Sequence, residues 1–276
     1  MRGDKTINQK DLTNSMFESE NLLECISEKD LAAYTLNVIN ELVRIRIDDN
    51  VLWRLLIHLK EISNPNERKK ILDAISKLLK EYEDMPKALD IIIDELTMSK
   101  NPEKYVKILS RKDVIDIIRN SYEFAEKNYQ ETPRIRDAIE STISFILSHP
   151  EDIERIKKYR GLEKIITSYK GVEAVTKLIE AEKEGLLRKD EVEDYLSRIA
   201  ELAEEIYKRF YNSPLTLIGR VFMGILQTHL SKIADAIERP EYFGSKDPRE
   251  PLNRILRNFE SIYSDKNIRN NLIKLN

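Results

Sequence analysis

The sequence predicts an all-α protein: an irregular array of short helices, in the manner of HEAT or armadillo superhelices, followed by a long antiparallel helical hairpin. Three observations carry this reading. A polar residue followed by proline recurs at Asn64-Pro65, Asn101-Pro102, Thr132-Pro133, Ser213-Pro214 and Asp247-Pro248. The polar side chain can accept a bond from an orphan N–H of a first helical turn, and proline loses nothing at the first helical position. Between these marks apolar residues recur three and four apart, and the alternation of a strand is almost absent.

Taken in order, Ser27 and Asp30 form a capping box before a run over 31–47, with Leu31, Tyr34, Val38, Ile39, Leu42 and Val43 on one face. Asp48, Asp49 and Asn50 make a corner. The run 51–62 is dense in apolar residues (Leu52, Trp53, Leu55, Leu56, Ile57, Leu59), so it is expected to be buried on most sides. After a turn at 63–66, Ile71, Leu72, Ile75, Leu78 and Leu79 form a stripe that Tyr82 closes. Helices follow over 87–96, from Pro102, over 114–124 and over 135–147. Two short helices carry an echo, Tyr159-Arg160-Gly161 and Tyr169-Lys170-Gly171, whose glycines read as left-handed residues closing a helix.

Beyond Gly185 the spacing changes. Val192, Tyr195, Ile199, Leu202 and Ile206 step by three and four, a coiled-coil-like seam. The turn at 212–214 then leads to a second long helix ending near 237. A short turn makes sequential helices neighbours, so the seam is expected against Ile218, Val221, Phe222 and Ile225. Two short helices, from Pro248 and Asp265, end the chain. The expected organisation is therefore a mobile tail over 1–20, a helical array over 21–187, and the hairpin with its two short helices over 188–276. The proline intervals are irregular, and no tetratricopeptide, ankyrin or leucine-rich pattern can be laid on the chain.

Composition narrows the function. Forty-six basic and 49 acidic side chains leave a formal net charge of -3, which argues against a general polyanion binder. Scarce glutamine with abundant Ile, Lys and Glu resembles proteins from hot environments. The one cysteine, Cys25, forms no internal disulfide and no cysteine-based zinc site, and a reducing cytoplasm is the expected compartment. No run is long and apolar enough to span a bilayer, so no membrane partner is expected.

No metal or cofactor is expected. The histidines, His58, His149 and His229, are far apart in sequence and none belongs to a His-Glu-x-x-His or Glu-x-x-His motif. The few scattered glycines build no phosphate loop. Acidic pairs such as Asp90 with Asp94 read as a solvated helix face. The basic cluster Arg155, Lys157, Lys158, Arg160, Lys164 and Lys170, interleaved with Tyr159 and Tyr169, offers phosphate contacts beside stacking surfaces, although acidic residues lie among it. A second basic group is Arg249, Arg254, Arg257, Arg269 and Lys274. Arg220, in the most apolar helix and between Gly219 and Gly224, must be paired, reach water, or hold an anion or partner carboxylate.

The expectation is a non-enzymatic scaffold that binds a protein partner, with the long hairpin available for self-association. The alternative is a nucleic-acid-associated subunit using the 155–170 cluster. A hydrolase with an unrecognised carboxylate site comes third, since no acid–base–metal constellation is visible.

Overall fold

The computed structural model describes residues 28–129, 131–210 and 217–264. Of these, 84% are helical, in thirteen α-helices with no strand, so the chain is all-α. No helix among the described residues is long and apolar enough to cross a membrane. The expected tail, the Ser27 half of the capping box, the Ser213-Pro214 turn and the final helix lie outside the described residues. The chain divides into two compact units, Met1–Asp116 and Ile117–Asn276.

In the first unit α1 (Glu28–Arg44), α2 (Asp49–Glu61), α3 (Pro65–Glu81), α4 (Pro86–Met98) and α5 (Pro102–Leu109) follow at short intervals. The caps work as their chemistry requires. Asn64 accepts from the Asn66 N–H at 2.9 Å and Asn101 from the Lys104 N–H at 3.2 Å, each with proline opening the helix. Asp48 does the same for α2, accepting from the Asn50 N–H at 2.9 Å.

Helices two apart in sequence pack together: α1 on α3, α2 on α4, and α3 on α5. The central helix α4 is consequently enclosed. Ala88, Leu89, Ile91, Ile92, Ile93 and Leu96 are all buried, and so is Asp90. The solvated acidic face expected at Asp90 is thus corrected. Its carboxylate accepts the Asp48 N–H at 2.9 Å and faces Lys87 Nζ at 3.4 Å, which ties α4 to the first turn of α2. Burial raises its pKa above the ordinary carboxylate range, against the opposing effect of these two donors.

Helix α1 ends in a Schellman motif. The Ile47 N–H reaches the Leu42 carbonyl and the Arg46 N–H that of Val43, both at 3.1 Å. The left-handed position is held by Arg46, at φ 58°, where glycine is usual.

Helix α6 (Lys112–Asn128) contains the division between the units. The second unit continues with α7 (Thr132–Ser148), the short α8 (Ile153–Lys158) and α9 (Leu162–Ile165), α10 (Tyr169–Lys183), α11 (Lys189–Phe210), α12 (Leu217–Glu238) and α13 (Arg249–Ser264). The seam residues Val192, Tyr195, Ile199, Leu202 and Ile206 are all buried. Their helix α11 rests on α9, α10 and α13 as well as on α12. The main partner of α12 is α10, with α13 next; its contact with α11 is slight. Among the described residues the expected seam is therefore covered by several helices, α12 among them. Phe222 is buried, Ile225 is half-buried, Val221 is exposed, and the side chain of Ile218 lies outside the described set. Against α13, the His229 ring stacks on Phe259 with centroids 4.5 Å apart.

The glycine echo has a different cause from the one expected. Gly161 and Gly171 both have negative φ, and the left-handed glycines are Gly185 and Gly244. A Cβ on Gly161 would fall on the backbone of Ala200, and one on Gly171 on the Ile165 carbonyl. These are points of close backbone approach. Gly185 instead closes α10 in a second Schellman motif, with its own N–H on the Glu182 carbonyl at 3.0 Å and that of Leu186 on Ala181 at 2.9 Å.

Candidate functional site

The basic cluster expected around 155–170 is distributed over three helices and largely neutralised. Arg155 pairs with Glu182 at 2.7 Å and stands 3.5 Å from Asp152. Lys157 turns to Glu154, 3.6 Å away, Lys158 to Glu193 at 2.6 Å, and Lys164 to Glu204. Lys170 pairs with Glu173 at 2.9 Å. Tyr159 directs its hydroxyl to Glu193 at 3.3 Å. Tyr169 is exposed, with the Lys170 ammonium over its ring. Within this cluster only Arg160, exposed at the α8–α9 corner, makes no ion pair among the described residues. The hydrogen bond from Lys158 raises its own pKa and lowers that of Glu193, so both stay charged at neutral pH.

Arg160 lies at the edge of an open groove of about 630 Å³ between this corner, α11 and the outer side of α13. Its floor is Gly161 on Ala200, the close approach described above. Its walls carry four cations, Lys158, Arg160, Arg198 and Lys208, and four carboxylates, Glu201, Glu204, Glu205 and Glu260. Arg198 is held by Glu260 at 2.8 Å and Lys208 faces Glu204 at 3.7 Å. The groove has no net sign and so does not concentrate phosphates.

Two members of the second basic group are held in the same manner, while Arg257 is exposed and forms no ion pair among the described residues. Arg249 pairs with Glu191 at 2.8 Å and Asp247 at 3.1 Å, and Arg254 donates to the Phe243 carbonyl at 2.7 Å. Arg269 and Lys274 lie outside the described residues, as does the side chain of Arg220. Beside that arginine, Gly224 faces open space, so it marks no close helix approach.

In the first unit, α2 presents a feature of a different kind. Val51, Leu52, Leu55, Leu56 and Leu59 are buried and complete its inner face. The run was expected to be buried on most sides, and two of its apolar positions stand outside that cover: Trp53 is 53% exposed and Ile57 43% exposed. At 3.6 residues per turn these two are about 40° apart, on one side of the helix. Asp49, Asn50, Arg54, Lys60 and Glu61 surround them, all exposed. Arg54 is held by Asp94 of α4 at 3.0 Å. This is an apolar centre with a polar rim, and its anchor is the only tryptophan of the chain. Sequence reasoning missed it by counting apolar residues along the run; a helical wheel separates the five leucine and valine positions from Trp53 and Ile57.

Among the described residues, no three His, Cys, Asp or Glu side chains group so as to hold a metal ion. Compared with family models and with curated proteins, the chain matches none.

Proposed function

We propose that the chain is a non-enzymatic helical interaction protein that binds a protein partner through the outer face of α2. One observation carries the proposal: the sole tryptophan stands half-exposed beside Ile57 on a helix whose other face is already filled. Burying a tryptophan is a large apolar gain, and Trp leads the residues that anchor protein interfaces. The stacked helices would serve as the rigid support, consistent with an α-solenoid-like scaffold. The lone Cys25 fits residence in a reducing cytoplasm.

The nucleic-acid reading draws little support from the geometry, because carboxylates of the same unit hold the cations it needs. The test is affinity capture from extract of the source cells at moderate and high salt. We expect discrete polypeptides bound to the wild type and lost from a Trp53→Ala, Ile57→Ala variant of unchanged helicity. Equal capture by both proteins would refute the role of this face.

A further inference from the structure

We infer that the α2 face pairs with the same face of a second copy of this chain, as two antiparallel helices about a two-fold axis. This rests on the reading of α2 as an interaction face and identifies one occupant of it. The argument is self-complementarity. In an isologous contact residue i meets residue j and j meets i, so a face can pair with itself only if its two halves match.

The halves of α2 do match. Crossing two antiparallel copies near residue 55 sets Trp53 of one against Ile57 of the other, twice. On one flank of this centre, at nearly the same angle on the wheel, lie Asp49 and Lys60. Antiparallel pairing brings each Asp49 beside the Lys60 of the other copy. On the opposite flank Asn50 and Glu61 meet in the same way, an amide donor against a carboxylate. Asp49 and Glu61, which would repel, fall on opposite flanks. Asp49, Lys60 and Glu61 are exposed and form no ion pair among the described residues, so each is available to a partner. The antiparallel helix dipoles add a weak attraction of the same sense.

A parallel arrangement about a two-fold would exchange the flanks, setting Asp49 beside Asn50 and Lys60 beside Glu61 of the other copy, so only antiparallel pairing lets an Asp49/Lys60 charge swap restore the contact. The 13-residue helix is roughly 20 Å long, so the contact is smaller than the ~1,200 Å² of a stable interface, and the expected affinity is micromolar.

Because Trp53 is the only tryptophan, its emission reads the contact directly. Full-length protein is followed from nanomolar to about millimolar concentration by tryptophan fluorescence and by sedimentation. We expect a blue shift that tracks the monomer–dimer transition, and Ile57→Asp is expected to abolish both. Lys60→Asp should raise the dissociation constant at least tenfold, and adding Asp49→Lys to it should restore most of the loss, because the swapped charges meet again across the axis. Circular dichroism checks that each variant keeps its helicity. A chain that stays monomeric throughout overturns the inference, as does a dimer that is indifferent to Ile57→Asp or a double swap weaker than the single change. A monomeric wild type whose extract partner is still lost with Trp53→Ala, Ile57→Ala would overturn self-pairing alone and leave the partner-binding face standing.

Discussion

Arg46 shows how one backbone position stores a correctable strain. The left-handed region brings an L-residue's Cβ against the following carbonyl at a cost of roughly 1–2 kcal/mol, while glycine there pays only its extra unfolded-chain freedom, roughly 0.4–1 kcal/mol. Arg46→Gly should therefore stabilise the first unit by about 0.5–1 kcal/mol in chemical denaturation. Arg46→Ala should leave it nearly unchanged, since alanine retains the Cβ. Asp90 is the opposite case, a charge the fold cannot simply discard. Its raised folded pKa means that the native state holds the proton longer than the unfolded chain. Stability from this group is thus lost as pH rises from about 4, the ordinary aspartate value, through the folded pKa. Asp90→Asn keeps an acceptor for the Asp48 N–H and removes the titration. Its stability relative to wild type should climb between pH 4 and pH 7, and a difference constant across that range would contradict the assignment. Asp90→Ala, which orphans the N–H, should cost about 1–3 kcal/mol. Neither residue was legible in the sequence. Asp90 looks like half of a solvated i, i+4 pair, and only the enclosure of α4 by its neighbours reverses that reading.

At the level of elements, legibility follows how local the cause is. Asn64, Asn101 and their prolines act within one turn, so the sequence reveals them. Gly161 answers to backbone far away in the chain, at Ala200, and Gly171 to the carbonyl of Ile165 across a helix corner; the sequence offers only their repetition. Helix propensity and packing give opposite signs at Gly171, which lies inside α10. In an exposed helix, alanine would gain up to about 1 kcal/mol over glycine. Here the added methyl would strike a carbonyl that cannot move aside without shifting α9. Gly171→Ala and Gly161→Ala are expected to destabilise by about 1–3 kcal/mol each, as over-packed sites do. Thermal midpoints that rise would show that the backbones are not in contact. The same distinction explains α2 and α11. One reads as a densely apolar run and the other as a coiled-coil-like seam, but the number of faces that neighbours cover is a tertiary property. The α11 seam was expected to be filled by α12, whereas α9, α10 and α13 share in covering it.

For the molecule as a whole, the near-balance of charge is reproduced locally, and this sets its behaviour toward polyanions. The fold class was legible because helical periodicity runs through the chain; the fate of the basic cluster was not. Arg155, Lys158 and Lys164 meet carboxylates of other helices, at Glu182, Glu193 and Glu204, and only folding reveals those partners. The open Lys158–Glu193 pair adds little to stability, but all three pairs consume the positive potential that a phosphate backbone would need. Wild-type protein should therefore elute from immobilised duplex DNA well below physiological salt. Relieving the two more open pairs, with Glu193→Gln and Glu173→Gln, leaves Lys158 and Lys170 unpaired without burying a charge. Each freed cation that reaches a phosphate releases counterions and steepens the dependence of log K on log salt by about 0.9. The double variant should thus bind more tightly at low salt, with a slope steeper by up to about 2 than that of the wild type. If the wild type itself stays bound near 0.15 M salt with a slope of several units, its cations already prefer phosphate to their carboxylate neighbours. The nucleic-acid reading would then displace the protein scaffold.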